Sequence, residues 1–209
     1  MKAMKLAGVT VAVLSAVLLA GCGEVARNGR APVMVTISSL EAASGAEPDE
    51  FGGTLNSDVI TLVKRDVNGQ QVDVPTIFND VARVTVGLTL RDPGFGASAS
   101  PSALNQVTFN RYRVTYQRAD GRNTPGVEVP YPFDSAVTFT VPSTGTATAG
   151  FELVRHTAKQ EAPLRALVSN SVILSTIAEV TLYGRDQAGN EVIATGNIGI
   201  FFGNFGDPQ

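Results

Sequence analysis

Cys22 and His156 are the only cysteine and the only histidine in the 209-residue chain, and they bound the chemistry it carries. A metal site built from several Cys or His ligands is excluded, and so is a disulfide within the chain. A Ser-His-Asp triad would have to use His156, which closes the strand-like run Phe151-Glu152-Leu153-Val154-Arg155-His156. No nucleophile-elbow motif accompanies it, so a surface or strand-edge histidine is the expectation. Glu47, Asp49 and Glu50 form the densest acidic cluster. Paired carboxylates serve glycosidases, but these lie in a Gly/Pro loop, where solvation is the default. The Asp-rich turns offer oxygen ligands for calcium without the ligand density of an EF-hand loop. No Gly-rich phosphate loop stands between a strand and a helix. No catalytic residue, metal or cofactor is therefore expected.

Two further sets of residues suit binding rather than catalysis. Arg111 and Arg113, with Arg83 and Arg91, would form a basic stripe if one sheet face carried them all. Their plainer role is to solvate an outer face and blunt strand edges. Phe51, Phe95 and Phe205 each precede a glycine in a loop-like stretch, and Tyr131 and Phe133 flank Pro132. Such rings either tuck back onto the core or gather at one end of the fold as a contact patch.

Cys22 lies in a different context. Lys2 and Lys5 precede fifteen uncharged residues, 6–20, rich in Val, Leu and Ala. That length suits the apolar region of an export signal and falls short of the ~18–20 residues of a spanning helix. The run ends in Leu19-Ala20-Gly21-Cys22. This segment resembles the export signals of bacterial lipoproteins, whose lipobox reads Leu, small, small, Cys. The resemblance implies that Cys22 takes up a diacylglyceryl group through its nucleophilic sulfur. It implies cleavage between Gly21 and Cys22, and acylation of the new amino group. Two or more chains, at ~0.8 kcal/mol per buried methylene, make a stable membrane anchor. Gly23 follows the cysteine where an Asp would favour inner-membrane retention, so the outer membrane is favoured in a diderm cell. The implied organisation is a signal peptide over residues 1–21, a lipidated tether over 22–32 and one domain over 33–209. Loss of both signal lysines takes the formal charge from −3 to −5. An acidic balance gives no pull toward nucleic acid.

Period-two alternation dominates residues 33–209. In residues 81–91, Ala82, Val84, Val86, Leu88 and Leu90 share one face, against Arg83, Thr85, Thr89 and Arg91. In residues 107–118, Val107 and Phe109 have the opposite parity to Tyr112, Val114 and Tyr116, which predicts a bulge near Asn110. Strands are also predicted over 33–40, 58–64, 136–141, 147–156, 173–183 and 191–202. Residues 41–57, 92–103 and 120–135 read as loops, and 163–170 as a short helix. Turns with Asp or Asn before Gly follow at 66–69, 120–121 and 186–190. The similar octets 65–72 and 185–192 read as two turns solved with the same residues.

About eight strands with almost no helix predict an all-β antiparallel β-sandwich. Residues 180–200 resemble the final hairpin of bacterial immunoglobulin-like domains, on Asp186, Gly189 and Asn190. The core is expected to contain Val84, Val86, Leu88, Tyr112, Val114, Val180, Leu182, Ile198 and Ile200. Three classes of function follow from these residues: a lipid-anchored scaffolding or interaction module, a carbohydrate- or ligand-binding lipoprotein, and, least favoured, a hydrolase. A binding lipoprotein would show exposed aromatics lining a concave face, and an enzyme would show acidic or Ser-centred residues converging in a pocket.

Overall fold

The computed structural model of the chain describes residues 31–92 and 100–206. Ten strands carry most of the regular structure there. They are β1 (Val33–Ala43), β2 (Thr54–Asp58), β3 (Thr61–Val67), β4 (Gln70–Thr76), β5 (Asp80–Leu90), β6 (Val107–Gln117), β7 (Phe133–Val141), β8 (Thr146–Val154), β9 (Leu174–Asp186) and β10 (Glu191–Gly203). Among the described residues helix is limited to the turn His156–Lys159 and the 3-10 segments Ala103–Asn105 and Leu164–Ser169. The fold is all-β, as the alternation predicts.

The strands form three sheets, in the orders β1-β5-β8, β2-β10-β9-β6-β7 and β3-β4. The five-stranded sheet curls into a half-barrel. Its inner face and that of the three-stranded sheet share one hydrophobic core. Eight of the nine predicted core residues are buried, and Leu88 is half-buried. Each fully buried Val, Leu or Phe contributes roughly 1.5–3 kcal/mol. Two tyrosines of β6 also tie the sheets together. Tyr112 Oη donates to the Glu152 carbonyl at 2.9 Å and Tyr116 Oη to the Leu153 carbonyl at 2.7 Å, both on β8. The hydroxyls thus keep a partner while their rings fill the core.

The expected bulge is present. The register of β6 shifts between Phe109 and Arg111 against both β7 and β9. Val107 and Phe109 before it, and Tyr112, Val114 and Tyr116 after it, all reach the core. A second bulge does the same in β1. There the register shifts between Ile37 and Ser39, so that Val35 and Ile37 on one side and Leu40 and Ala42 on the other pack on the core. Each extra residue reverses the parity of a strand and so rescues an apolar face that would otherwise turn to solvent.

Two expectations are corrected. The strands number ten rather than about eight, and the pairing is not wholly antiparallel, because β2 runs parallel to β10. The sequence hides β2 because it is short and half polar, Thr54-Leu55-Asn56-Ser57-Asp58. The strand expected over 58–64 is divided by a corner at Val59-Ile60, where the Thr61 hydroxyl donates to Asp58 Oδ2 at 3.1 Å. Beyond that corner β3 and β4 form a separate hairpin, mostly exposed on both faces. Its turn is the predicted one. Asn68 and Gly69 have φ of 57° and 82°, and Asp66 Oδ1 accepts from the Gly69 amide at 2.8 Å. The Asp186 turn is longer, five residues between Arg185 and Glu191, and there Asp186 Oδ1 accepts from the Asn190 amide at 2.8 Å. The two octets thus share an aspartate acceptor but not a turn geometry.

Candidate functional site

Tyr131 is the predicted patch residue that the fold leaves open to solvent, 58% exposed. It sits between Pro130 and Pro132, whose fixed φ leaves the backbone little freedom. The loop before it closes on itself. The Gly126 amide donates to the Val129 carbonyl at 2.8 Å, and the Glu128 amide to the Thr124 carbonyl at 2.9 Å. The Glu128 carboxylate in turn accepts from the Thr124 amide at 2.9 Å, which holds its pKa below the usual carboxylate range. The Tyr131 ring lies against Gly126, so closely that a Cβ at 126 would fall 2.2 Å from ring carbon Cζ. With φ of +75°, position 126 also favours glycine on backbone grounds. One side of the ring is therefore seated on the loop's own backbone.

Gln160, Glu161, Ala162, Arg165 and Ala166 form a second wall, which with Gly126 and Tyr131 borders a shallow cleft that is largely open to solvent. Gln160, Glu161 and Arg165 are exposed. Among the described residues Glu161 and Arg165 form no ion pair. Their backbone is fixed from beneath. The Arg165 amide donates to the Glu161 carbonyl at 2.8 Å, and Lys159, Leu164 and Leu167 are buried.

The other predicted patch residues go elsewhere. Phe133 is buried, edge-on to Tyr112 at 6.0 Å, with the Arg155 guanidinium 3.9 Å above its ring, so it serves the core. Phe51 is half-buried beneath Arg83, whose Cζ lies 4.2 Å from the ring centroid. Phe205 is half-buried against Gly203, and its amide donates to Asp58 Oδ1 at 3.2 Å. Proline-flanked and glycine-preceding aromatics thus divide by local geometry, and among the described ones only Tyr131 combines exposure with a cleft. Phe95, and the lipobox residues Leu19, Ala20, Gly21 and Cys22, lie outside the described residues.

The four arginines do not form one stripe. Arg83 and Arg91 belong to the three-stranded sheet region and Arg111 and Arg113 to the five-stranded sheet. Arg83 pairs with Glu41 at 2.7 Å, and Arg111 and Arg113 share Asp134 at 3.3 and 2.7 Å. These exposed pairs contribute ~0–1 kcal/mol each. His156 is exposed at the start of its helical turn. Among the described residues no three His, Cys, Asp or Glu side chains gather as a metal site. No helix there is long and apolar enough to cross a membrane.

Sequence reasoning passes over one cluster altogether. Lys159 Nζ donates to Asp80 Oδ1 at 2.8 Å and to the Asp58 carbonyl at 2.8 Å. Ser57 Oγ donates to Asp80 Oδ2 at 2.5 Å, and the Gly45 amide to Asp80 Oδ1 at 3.0 Å. A serine, a lysine and an aspartate in contact are the components of nucleophilic catalysis, yet all three are sealed from solvent. Ser57 is hydrogen-bonded to the carboxylate rather than to the amine. The cluster binds β2, β5, the 44–45 loop and the helical turn into one unit. It also pins the residue immediately before Gln160 and Glu161, and so fixes the polar wall of the cleft. The only hint in the sequence is that Lys159 is one of two lysines after residue 5.

No family model matches the chain, and no curated protein matches it.

Proposed function

We propose that the protein is a lipid-anchored lipoprotein of the cell envelope, acting outside the cytoplasm as a non-catalytic binding or scaffolding module. The observation that carries this reading is the ordered set Lys2, Lys5, the uncharged run and Leu19-Ala20-Gly21-Cys22. Cys22 carries the lipid, and residues 1–21 are removed. The anchor places the domain at the outer membrane in a diderm cell, with a protein or glycan as its partner. The domain is an immunoglobulin-like β-sandwich. Two sheets sharing a core and the Asp186–Asn190 hairpin turn support that finer description. A non-catalytic role is supported by the exposed position of His156 and by the sealing of Ser57, Asp80 and Lys159. Intact mass of the membrane-extracted protein tests the anchor. Residues 22–209 plus acyl chains are expected, and Cys22→Ser should abolish the lipid mass and release the protein or leave it unprocessed. An unmodified Cys22 in the membrane fraction would overturn the reading.

A further inference from the structure

We infer that the cleft between Tyr131 and residues 160–166 is a saccharide-binding site, with the outer face of the Tyr131 ring as its platform. This rests on the reading of the domain as a binding module, and names its ligand class.

The chemistry of the two walls selects that class. A pyranose has a face of C–H groups and a rim of hydroxyls. Its C–H face packs on an aromatic ring, and its hydroxyls bond best to planar groups that donate or accept in pairs. Tyr131 supplies the ring. Gln160, Glu161 and Arg165 supply a carboxamide, a carboxylate and a guanidinium on the facing wall. Ala162 and Ala166 extend the apolar surface of the ring, so the lining is more apolar than polar and suits the C–H face of a sugar. Glu161 and Arg165 cancel in charge, so the ligand is a neutral sugar rather than a uronate or a phosphate.

Preorganisation supports the assignment. The ring is fixed by Gly126 below and by prolines on both sides, and the polar wall by buried Lys159, Leu164 and Leu167. A site whose groups are already in place loses little side-chain freedom on binding.

The test uses the full-length protein in detergent, with maltohexaose, cellohexaose and chitotetraose as probes and saturation-transfer NMR and titration calorimetry as readouts. At least one probe should bind. Tyr131→Ala should weaken it by about tenfold or more, Arg165→Ala by about threefold or more, and Tyr131→Phe by less than about threefold, because the ring is what stacks. Thermal melting accompanies each variant. If Tyr131→Ala loses its fold, the Arg165→Ala and Tyr131→Phe pair decides. The assignment is overturned if no probe binds at millimolar concentration, if binding survives both alanine variants, or if a proline decapeptide binds the cleft in place of the sugars. Cys22→Ser separates the two readings. It should lose the membrane and keep the sugar, so either result can fail alone.

Discussion

Lys159 and Asp80 are 79 residues apart in sequence, 2.8 Å apart in space, and 1% and 0% exposed. Removing one member of such a pair strands a charge in the interior. Lys159→Met should therefore cost ~3–5 kcal/mol in urea unfolding. Lys159→Met combined with Asp80→Asn should cost less than the sum of the two single changes, since neither orphan remains charged.

The same pair gives a pH dependence. Burial pushes the Asp80 carboxyl above its ordinary value, and Lys159 and the hydrogen bonds from Ser57 and Gly45 oppose that rise. Lys159→Met removes the chief opposition. A carboxyl raised in the folded state contributes stability below its unfolded pKa and loses it as pH rises through the folded one. Lys159→Met should accordingly be less destabilised near pH ~4 than near pH ~8, read as the difference in urea midpoint from wild type. An equal deficit at both would mean the carboxylate has found another cation.

Burial raises the phenols of both Tyr112 and Tyr116, more strongly at Tyr116. Stability tied to a raised pKa is complete below the unfolded value and falls as pH climbs toward the folded one. The domain should then lose stability above pH ~10, where unfolded tyrosines ionise. Phenolate absorbance and circular dichroism, recorded together, should show Tyr112 and Tyr116 ionising only as the strand signal collapses.

Gly184 lies opposite Phe109 in the β6–β9 ladder, beside the bulge. A Cβ there would meet the Thr108 carbonyl oxygen at 2.6 Å and Phe109 Cδ1 at 2.8 Å. Gly184→Ala should cost ~1–3 kcal/mol through overpacking. Gly150→Ala, whose nearest neighbour would be the Ala82 carbonyl oxygen at 3.8 Å, should stay within ~0.5 kcal/mol. Equal melting shifts for the two would show that β9 yields at position 184.

Replacement of residues 62–75 by a Gly-Gly-Ser linker should leave the unfolding free energy within ~1 kcal/mol. An isolated two-stranded hairpin is marginal in water, and the shared core takes no buried residue from this one. Hydrogen exchange on the intact protein should show β3 and β4 amides exchanging well before those of β9.

What the sequence made legible follows from where burial is one-sided. β5 and β9 alternate because one face meets the core, and the switch from Phe109 to Tyr112 announced the bulge of β6. The matching switch in β1, from Ile37 to Leu40, was present but masked by the polar pair Ser38-Ser39. β2 escaped because a five-residue strand with Thr, Asn, Ser and Asp has no apolar rhythm to detect. The buried cluster was invisible for a different reason. Ser57, Asp80 and Lys159 look like surface residues singly, and only tertiary pairing makes their burial tolerable. Of the loop aromatics, Tyr131 and Phe133 stand two residues apart with opposite fates, because Phe133 opens β7 and faces the core while Tyr131 lies in the loop before the strand, where alternation does not apply.

The parallel seam between β2 and β10 sets an order on the assembly of the fold. Thr54 to Asp58 pair with Gly199 to Gly203, and the Val59 amide donates to the Gly203 carbonyl at 2.9 Å. The early strand can pair only with a mate some 140 residues further along the chain, and antiparallel neighbours on the spot cannot substitute for it. Until that pairing the seam edge of the half-barrel does not exist. A chain halted before residue 199 would keep its first sheet and still be left with an open flank, which is the kind of flaw that quality-control proteases recognise.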